Sequence, residues 1–196
     1  MIHVLHGFLG SPNDFFFLKD LNFMTPSAGS SSLVFHDLYQ DDSFPTPQPD
    51  DIIIGYSLGG RIALDLCSRV HFNIKKLILI GSHIGYDPKK DKAQKKDRIK
   101  TESMILSQLE NRSFKDFMAW WNNLSLFKYD QPLETELFRF QKSPILFRKY
   151  LLSKQKYYLP ELIKYREKIV FIAGEMDFKF MNLINEKLNP HNIKNC

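Results

Sequence analysis

The chain has 196 residues, of which 43% are apolar and 25% charged. That is ordinary for one folded domain with a real core, and its apolar runs fall well short of the ~18 residues a membrane helix needs. The formal net charge of +5 has one source: residues 89–100 (KKDKAQKKDRIK) hold seven basic and two acidic residues, and the remaining charges balance. No aromatic interleaves with that run, so nucleic acid is not an expected partner; the run reads as a solvated helix face or as a positive rim for an anionic substrate.

In chain order, Met1-Ile-His-Val-Leu-His-Gly7 has neither a basic leader nor a small-residue cleavage site, so no signal peptide is expected. Ile2–Leu5 reads as a first strand ending at His6-Gly7, and Ser32–Phe35 as a second ending at His36-Asp37. The stretches Ser27–Ser32 and Phe44–Pro49 read as surface loops. Asp51–Ile54 is a third strand. It runs into Gly55-Tyr56-Ser57-Leu58-Gly59, followed by a helical pattern over Arg61–Cys67. Leu77–Ile80 is a fourth strand ending at Gly81-Ser82-His83, and Lys168–Ala173 a fifth ending at Gly174-Glu175-Met176-Asp177. Residues 86–165 are helical by pattern, rich in aromatics (Phe114, Phe117, Trp120, Trp121, Phe127, Phe138, Phe140, Phe147, Tyr150) and punctuated by Pro132, Pro144 and Pro160. Met181–Leu188 reads as a helix stopped by Asn189-Pro190. The two cysteines, Cys67 and Cys196, form no disulfide framework, which points to a reducing cytoplasm.

Near-continuous apolar strands alternating with helices predict an α/β fold with a mostly parallel sheet covered on both faces. The expected division is a core of residues 1–85 and 166–196 with a helical cap of residues 86–165 inserted. In such sheets function gathers past the carboxyl ends of the strands, where His6, Ser57, His83 and Asp177 all lie. Strand, G-x-S-x-G, helix is the setting of a nucleophile elbow, so Ser57 is the candidate nucleophile or base. Asp177 is the candidate acid partner, with Glu175 a weaker competitor. An oxyanion site is expected from the backbone N–H groups of Leu58, after the serine, and of Phe8, in the loop after the first strand. His191 is the histidine that follows Asp177 in order. A helix from Phe178 to Leu188 would carry it roughly 16 Å from the active edge, and three residues recover at most about 10 Å. The chain is therefore expected to lack the last strand and the histidine it would deliver, with His6 and His83 as alternative bases. No histidine pair has metal-ligand spacing, so no metal is expected.

These motifs resemble the α/β-hydrolase superfamily. Within it the chain is similar to the 2-succinyl-6-hydroxy-2,4-cyclohexadiene-1-carboxylate synthases of menaquinone biosynthesis, over about residues 3–180. The resemblance is carried by His6-Gly-Phe-Leu-Gly-Ser11 with Asp14-Phe15, by Gly55-Tyr-Ser-Leu-Gly-Gly-Arg61 and by Gly81-Ser-His-Ile-Gly85. Trp121 with Phe127, Arg139 with Pro144, and Gly174-Glu-Met-Asp177-Phe-Lys-Phe180 complete it. It implies a lyase that eliminates pyruvate from 2-succinyl-5-enolpyruvyl-6-hydroxy-3-cyclohexene-1-carboxylate, with Ser57 as the activated base and no cofactor. It also implies Tyr56, Arg61, Arg98, Trp121 and Arg139 as contacts to a small polycarboxylate, for which the planar guanidinium fork is suited. The alternatives are an esterase or thioesterase with Ser57 as nucleophile, and a catalytically silent remnant of the fold.

Overall fold

The computed structural model describes residues 1–19, 32–40, 44–124 and 133–196. Six parallel strands form one sheet among the described residues, in the order β2-β1-β3-β4-β5-β6. They are β1 (Ile2–Leu5), β2 (Leu33–His36), β3 (Ile52–Tyr56), β4 (Lys76–Ile80), β5 (Ile169–Ile172) and β6 (Lys194–Asn195). The β-branched run Ile52-Ile53-Ile54 places β3 at the centre, paired with β1 on one side and β4 on the other. Strands β1 to β5 stand within one or two residues of their expected positions. The two-residue β6 has no apolar pattern to announce it. It forms because β5 offers an open edge: Cys196 N–H donates to the Phe171 carbonyl and Ala173 N–H to the Cys196 carbonyl.

Helix α1 (Leu58–Arg69) follows β3 directly and buries Leu58, Ile62, Ala63, Leu64 and Cys67. Beyond it come α2 (Lys92–Asn111), α3 (Phe114–Asn122), α4 (Leu137–Lys149), α5 (Leu159–Lys164) and α6 (Phe178–Leu183). The chain forms two compact units. One comprises Met1–Gly7, Ser11–Ile84 and Tyr158–Cys196; the other comprises Phe8–Gly10 and Gly85–Tyr157. Tyr158 belongs with the sheet because its N–H donates to the Ile84 carbonyl and its hydroxyl to Asp65 of α1. The helical unit closes on an aromatic core of Phe117, Trp121, Phe140 and Phe147, with Leu9, Ile105 and Leu109.

Pro144 does not end a helix; it lies inside α4. A proline there withholds one N–H from the helix ladder, and its neighbour Ser143 donates its hydroxyl to the Arg139 carbonyl at 2.7 Å. Pro160 stands in the first turn of α5, where a helix needs no N–H. Pro132, Phe127 and Ser27–Ser31 lie outside the described residues.

Candidate active site

Ser57 sits between β3 and α1 with φ 50° and ψ −108°, a conformation that side chains rarely adopt and that costs of order 1–3 kcal/mol. The surroundings hold it there. Its N–H donates to the Ile80 carbonyl at the end of β4 (2.9 Å), and its carbonyl accepts from the Ser82 hydroxyl (3.1 Å) and from Arg61 N–H (3.3 Å). The glycines around it are a matter of space. A Cβ on Gly55 would lie 2.5 Å from the Gly60 Cα, and one on Gly59 would lie 2.3 Å from the Leu5 carbonyl oxygen.

A serine just before a helix normally caps it, as Ser113 does for α3 by accepting from Asp116 N–H. Ser57 makes no such side-chain bond, and its hydroxyl has no hydrogen-bond partner among the described residues. The Leu58 N–H, first of α1, likewise has no acceptor there. A free hydroxyl beside a free helix-terminal amide is an arrangement that receives negative charge. Tyr56 is 40% exposed just before the serine, its ring packed on Phe15 at 6.2 Å. Arg61 lies half-buried in the first turn of α1.

Asp177 follows β5, two strands from the serine, or about 10 Å laterally at 4.8 Å per strand. Its carboxylate accepts from Phe180 N–H at 3.3 Å and so caps α6. Glu175 beside it is exposed. His191 stands elsewhere. It precedes β6, and the pairing of Lys194 with Val170 puts it at the amino edge of the sheet, whereas Ser57 and Asp177 follow carboxyl ends. Lys194 already lies about three residues, or roughly 10 Å at 3.3 Å per residue, below the level of Ser57, and His191 precedes it. His191, the histidine that follows Asp177 in order, is thus carried away from Ser57, because α6 and the turns after it run down the sheet. His6 is at the right edge but spent. Its Nδ1 donates to the Gly7 carbonyl (2.7 Å), its Nε2 accepts from Leu38 N–H (3.0 Å), and it is fully buried. His83 follows β4, the strand between those of Ser57 and Asp177.

The other expected residues lie in the helical unit. Phe8 packs on Trp121 (5.5 Å between ring centres) and Phe147 (5.1 Å). Leu9 is completely buried in the same core at φ 62°. Arg139 is 5% exposed; its Nη1 donates to the Gly10 carbonyl (3.3 Å) and its Nε to Glu136 (3.0 Å). Arg98 donates through Nε to Glu102 at 2.9 Å. The carboxylate of Glu102 also accepts from Leu152 N–H at 2.7 Å. The structure thus groups Tyr56, Ser57, Leu58, Arg61 and Asp177 in the sheet unit, and Phe8, Arg98, Trp121 and Arg139 in the other.

Solved structures share this fold. MenH from S. aureus is 20% identical, with a TM-score of 0.75, covering all of this chain and 82% of that one. A carboxylesterase from the thaumarchaeon Nitrososphaera gargenis is 14% identical, with a TM-score of 0.66, covering all of this chain and 79% of that one. MGS-M2, an α/β-hydrolase enzyme from a deep-sea metagenome library, is 15% identical, with a TM-score of 0.60 over all of this chain and 79% of that one. The chain has an α/β-hydrolase fold. No protein-family model and no curated protein matches its sequence.

Within this α/β-hydrolase fold, two participants escaped the sequence reading. Ser82 ties the elbow carbonyl to the end of β4; its position after a strand-ending glycine was visible, but its partner was not. The bond from Arg139 to Gly10 joins residues 129 positions apart, which no local pattern foretells.

Proposed function

We propose that Ser57 is the reacting group of an enzyme that eliminates pyruvate from 2-succinyl-5-enolpyruvyl-6-hydroxy-3-cyclohexene-1-carboxylate. The observation that carries this reading is the strained serine whose hydroxyl is left uncapped beside the free Leu58 amide. Ser57, its own proton passed to an acceptor, takes the ring proton; the C–H electron pair forms the new ring double bond and expels the enolpyruvyl oxygen as the enolate of pyruvate, which is then protonated at its methylene carbon. Negative charge developing on the substrate is received by backbone N–H groups, with Leu58 and Phe8 assigned that role. Asp177 serves as the acid that orients the proton acceptor for Ser57. Tyr56, Arg61, Arg98, Trp121 and Arg139 are assigned to the substrate and its carboxylates, on the motif resemblance and on the likeness of the fold to MenH. No cofactor enters this scheme.

A second reading, ester or thioester hydrolysis through an acyl-Ser57, draws on the same elbow and on the carboxylesterase likeness. Pyruvate release, followed by coupling to lactate dehydrogenase, separates the two. The lyase reading expects pyruvate from the enolpyruvyl substrate and little turnover of p-nitrophenyl esters, with Ser57→Ala slower by about a thousandfold or more. Ester turnover without pyruvate refutes the lyase and favours the second reading. A folded protein with neither activity refutes both and favours a silent remnant. His83→Ala, measured beside Ser57→Ala, reports whether the histidine after β4 accepts the serine proton.

A further inference from the structure

The basic run found in the sequence forms the start of α2 and the turn before it, and the structure shows how its charge is disposed. Lys89, Lys90, Lys92, Lys96 and Lys100 are exposed. Of the two acids of the run, one is turned away from these lysines and the other meets Lys100. Asp91 is 7% exposed and accepts from Asp87 N–H at 2.8 Å, turned inward. Asp97 pairs with Lys100, and Arg98 is held by Glu102. The ammonium groups of Lys89, Lys90, Lys92, Lys95 and Lys96 have no carboxylate partner among the described residues.

Helix geometry arranges this charge. At about 100° per residue, Lys92, Lys96 and Lys100 form one stripe, opposite the buried Ile105 and Leu109. Two apolar side chains flank the stripe and stand out in solvent: Ile99, 48% exposed, and Met104, 45% exposed. Residues 89–105 contain no aromatic ring on which a base could stack. Exposed lysines flanked by aliphatic side chains suit a phosphodiester surface with hydrocarbon beneath it.

We propose that this face of α2 docks the protein on anionic lipid bilayers, with the lysines on headgroup phosphates and Ile99 and Met104 at the acyl boundary. It is a surface contact: no described helix is long and apolar enough to cross a membrane. The short apolar runs of the sequence predict no membrane partner, but they exclude only a spanning helix and leave such a surface contact open. The proposal is independent of the chemistry at Ser57.

The test is sedimentation of the full chain with vesicles of phosphatidylcholine alone and with about one third phosphatidylglycerol. Binding is expected to the anionic vesicles only, and lost at about 0.5 M salt, where screening shortens to a few ångströms. Each lysine near such a surface adds about fivefold to partitioning, so K92Q/K96Q/K100Q should weaken binding by about a hundredfold. Its circular dichroism and melting temperature should stay unchanged, because all three side chains are exposed. I99S/M104S should weaken binding several-fold without altering its salt dependence. Absent binding, equal binding to neutral vesicles, or the triple variant binding like wild type would each overturn the proposal. Tighter binding to a single-stranded RNA oligonucleotide than to vesicles would also overturn it and reassign the face to nucleic acid.

Discussion

Replacing Gly59 by alanine tests the packing that builds the elbow. In an unencumbered helix the change is favourable by about 0.5–1 kcal/mol, since alanine restricts the unfolded chain and favours helix. Here the new Cβ would lie 2.3 Å from the Leu5 carbonyl oxygen and 2.5 Å from that of His6. Both contacts are to backbone at the end of β1, so no side-chain rotation relieves them. To reach even 3.0 Å, α1 and β1 must separate by about 0.7 Å in a close-packed layer. Overpacking of this kind costs typically about 1–3 kcal/mol, and the rigid partners put this site at the upper end. With about 2–4 °C per kcal/mol for a chain of this size, a 3 kcal/mol loss lowers the melting temperature by about 6–12 °C. Gly174→Ala is the matched control: nothing lies within 4 Å of its Cβ, so it should fall within about 1 kcal/mol of wild type on the neutral or stabilising side. Urea unfolding followed by circular dichroism reads both. A Gly59→Ala protein as stable as Gly174→Ala would refute the close approach of α1 to β1, and with it the account of how Ser57 is held.

Two further outcomes follow from buried groups. Asp51 is 3% exposed; burial alone would raise its pKa, but hydrogen bonds from the Met1 amino group and Gln48 N–H, and the charge of His3, hold it below its ordinary value. A depressed carboxyl stabilises the fold above its unfolded pKa of about 3.9, and that stability is lost as pH falls through the lower folded value. Asp51→Asn should therefore be less stable at neutral pH by about 1–3 kcal/mol and show a flatter stability profile below about pH 4; an acid profile parallel to wild type would contradict this. Burial pushes the Cys67 thiol up to about 12, while Cys196 is exposed. A disulfide reagent at about pH 8 should label one thiol in the folded protein and two in denaturant, and rapid labelling of both in the folded protein would show that α1 does not seal Cys67.

Much of the sheet was legible because its signals are local. The runs Ile2–Leu5 and Ile52–Ile54 are too apolar and β-branched for a loop, and the glycines beside Ser57 mark a turn that tolerates no side chains. Strand ends shifted by a residue or two because the sequence does not say how far a neighbour continues to pair. Pro144 misled because a helix interior can absorb a missing N–H when packing on Phe140 and Phe147 holds the rest. The sixth strand was illegible for a different reason: Lys194 and Asn195 are exposed and polar, and only the open edge of β5 makes them a strand.

By itself, the sequence determined the α/β alternation, the elbow and the candidates Ser57 and Asp177, because hydrophobic period and glycine spacing are properties of neighbouring residues. Only the tertiary structure decided where the remaining side chains spend their hydrogen bonds. It tied His6 to the Gly7 carbonyl through one nitrogen and to Leu38 N–H beyond β2 through the other, set Arg139 on the Gly10 carbonyl, and left His191 at the opposite edge of the sheet from Ser57. Those outcomes depend on which strand lies beside which and how far the chain travels between them, and chain order does not contain that distance.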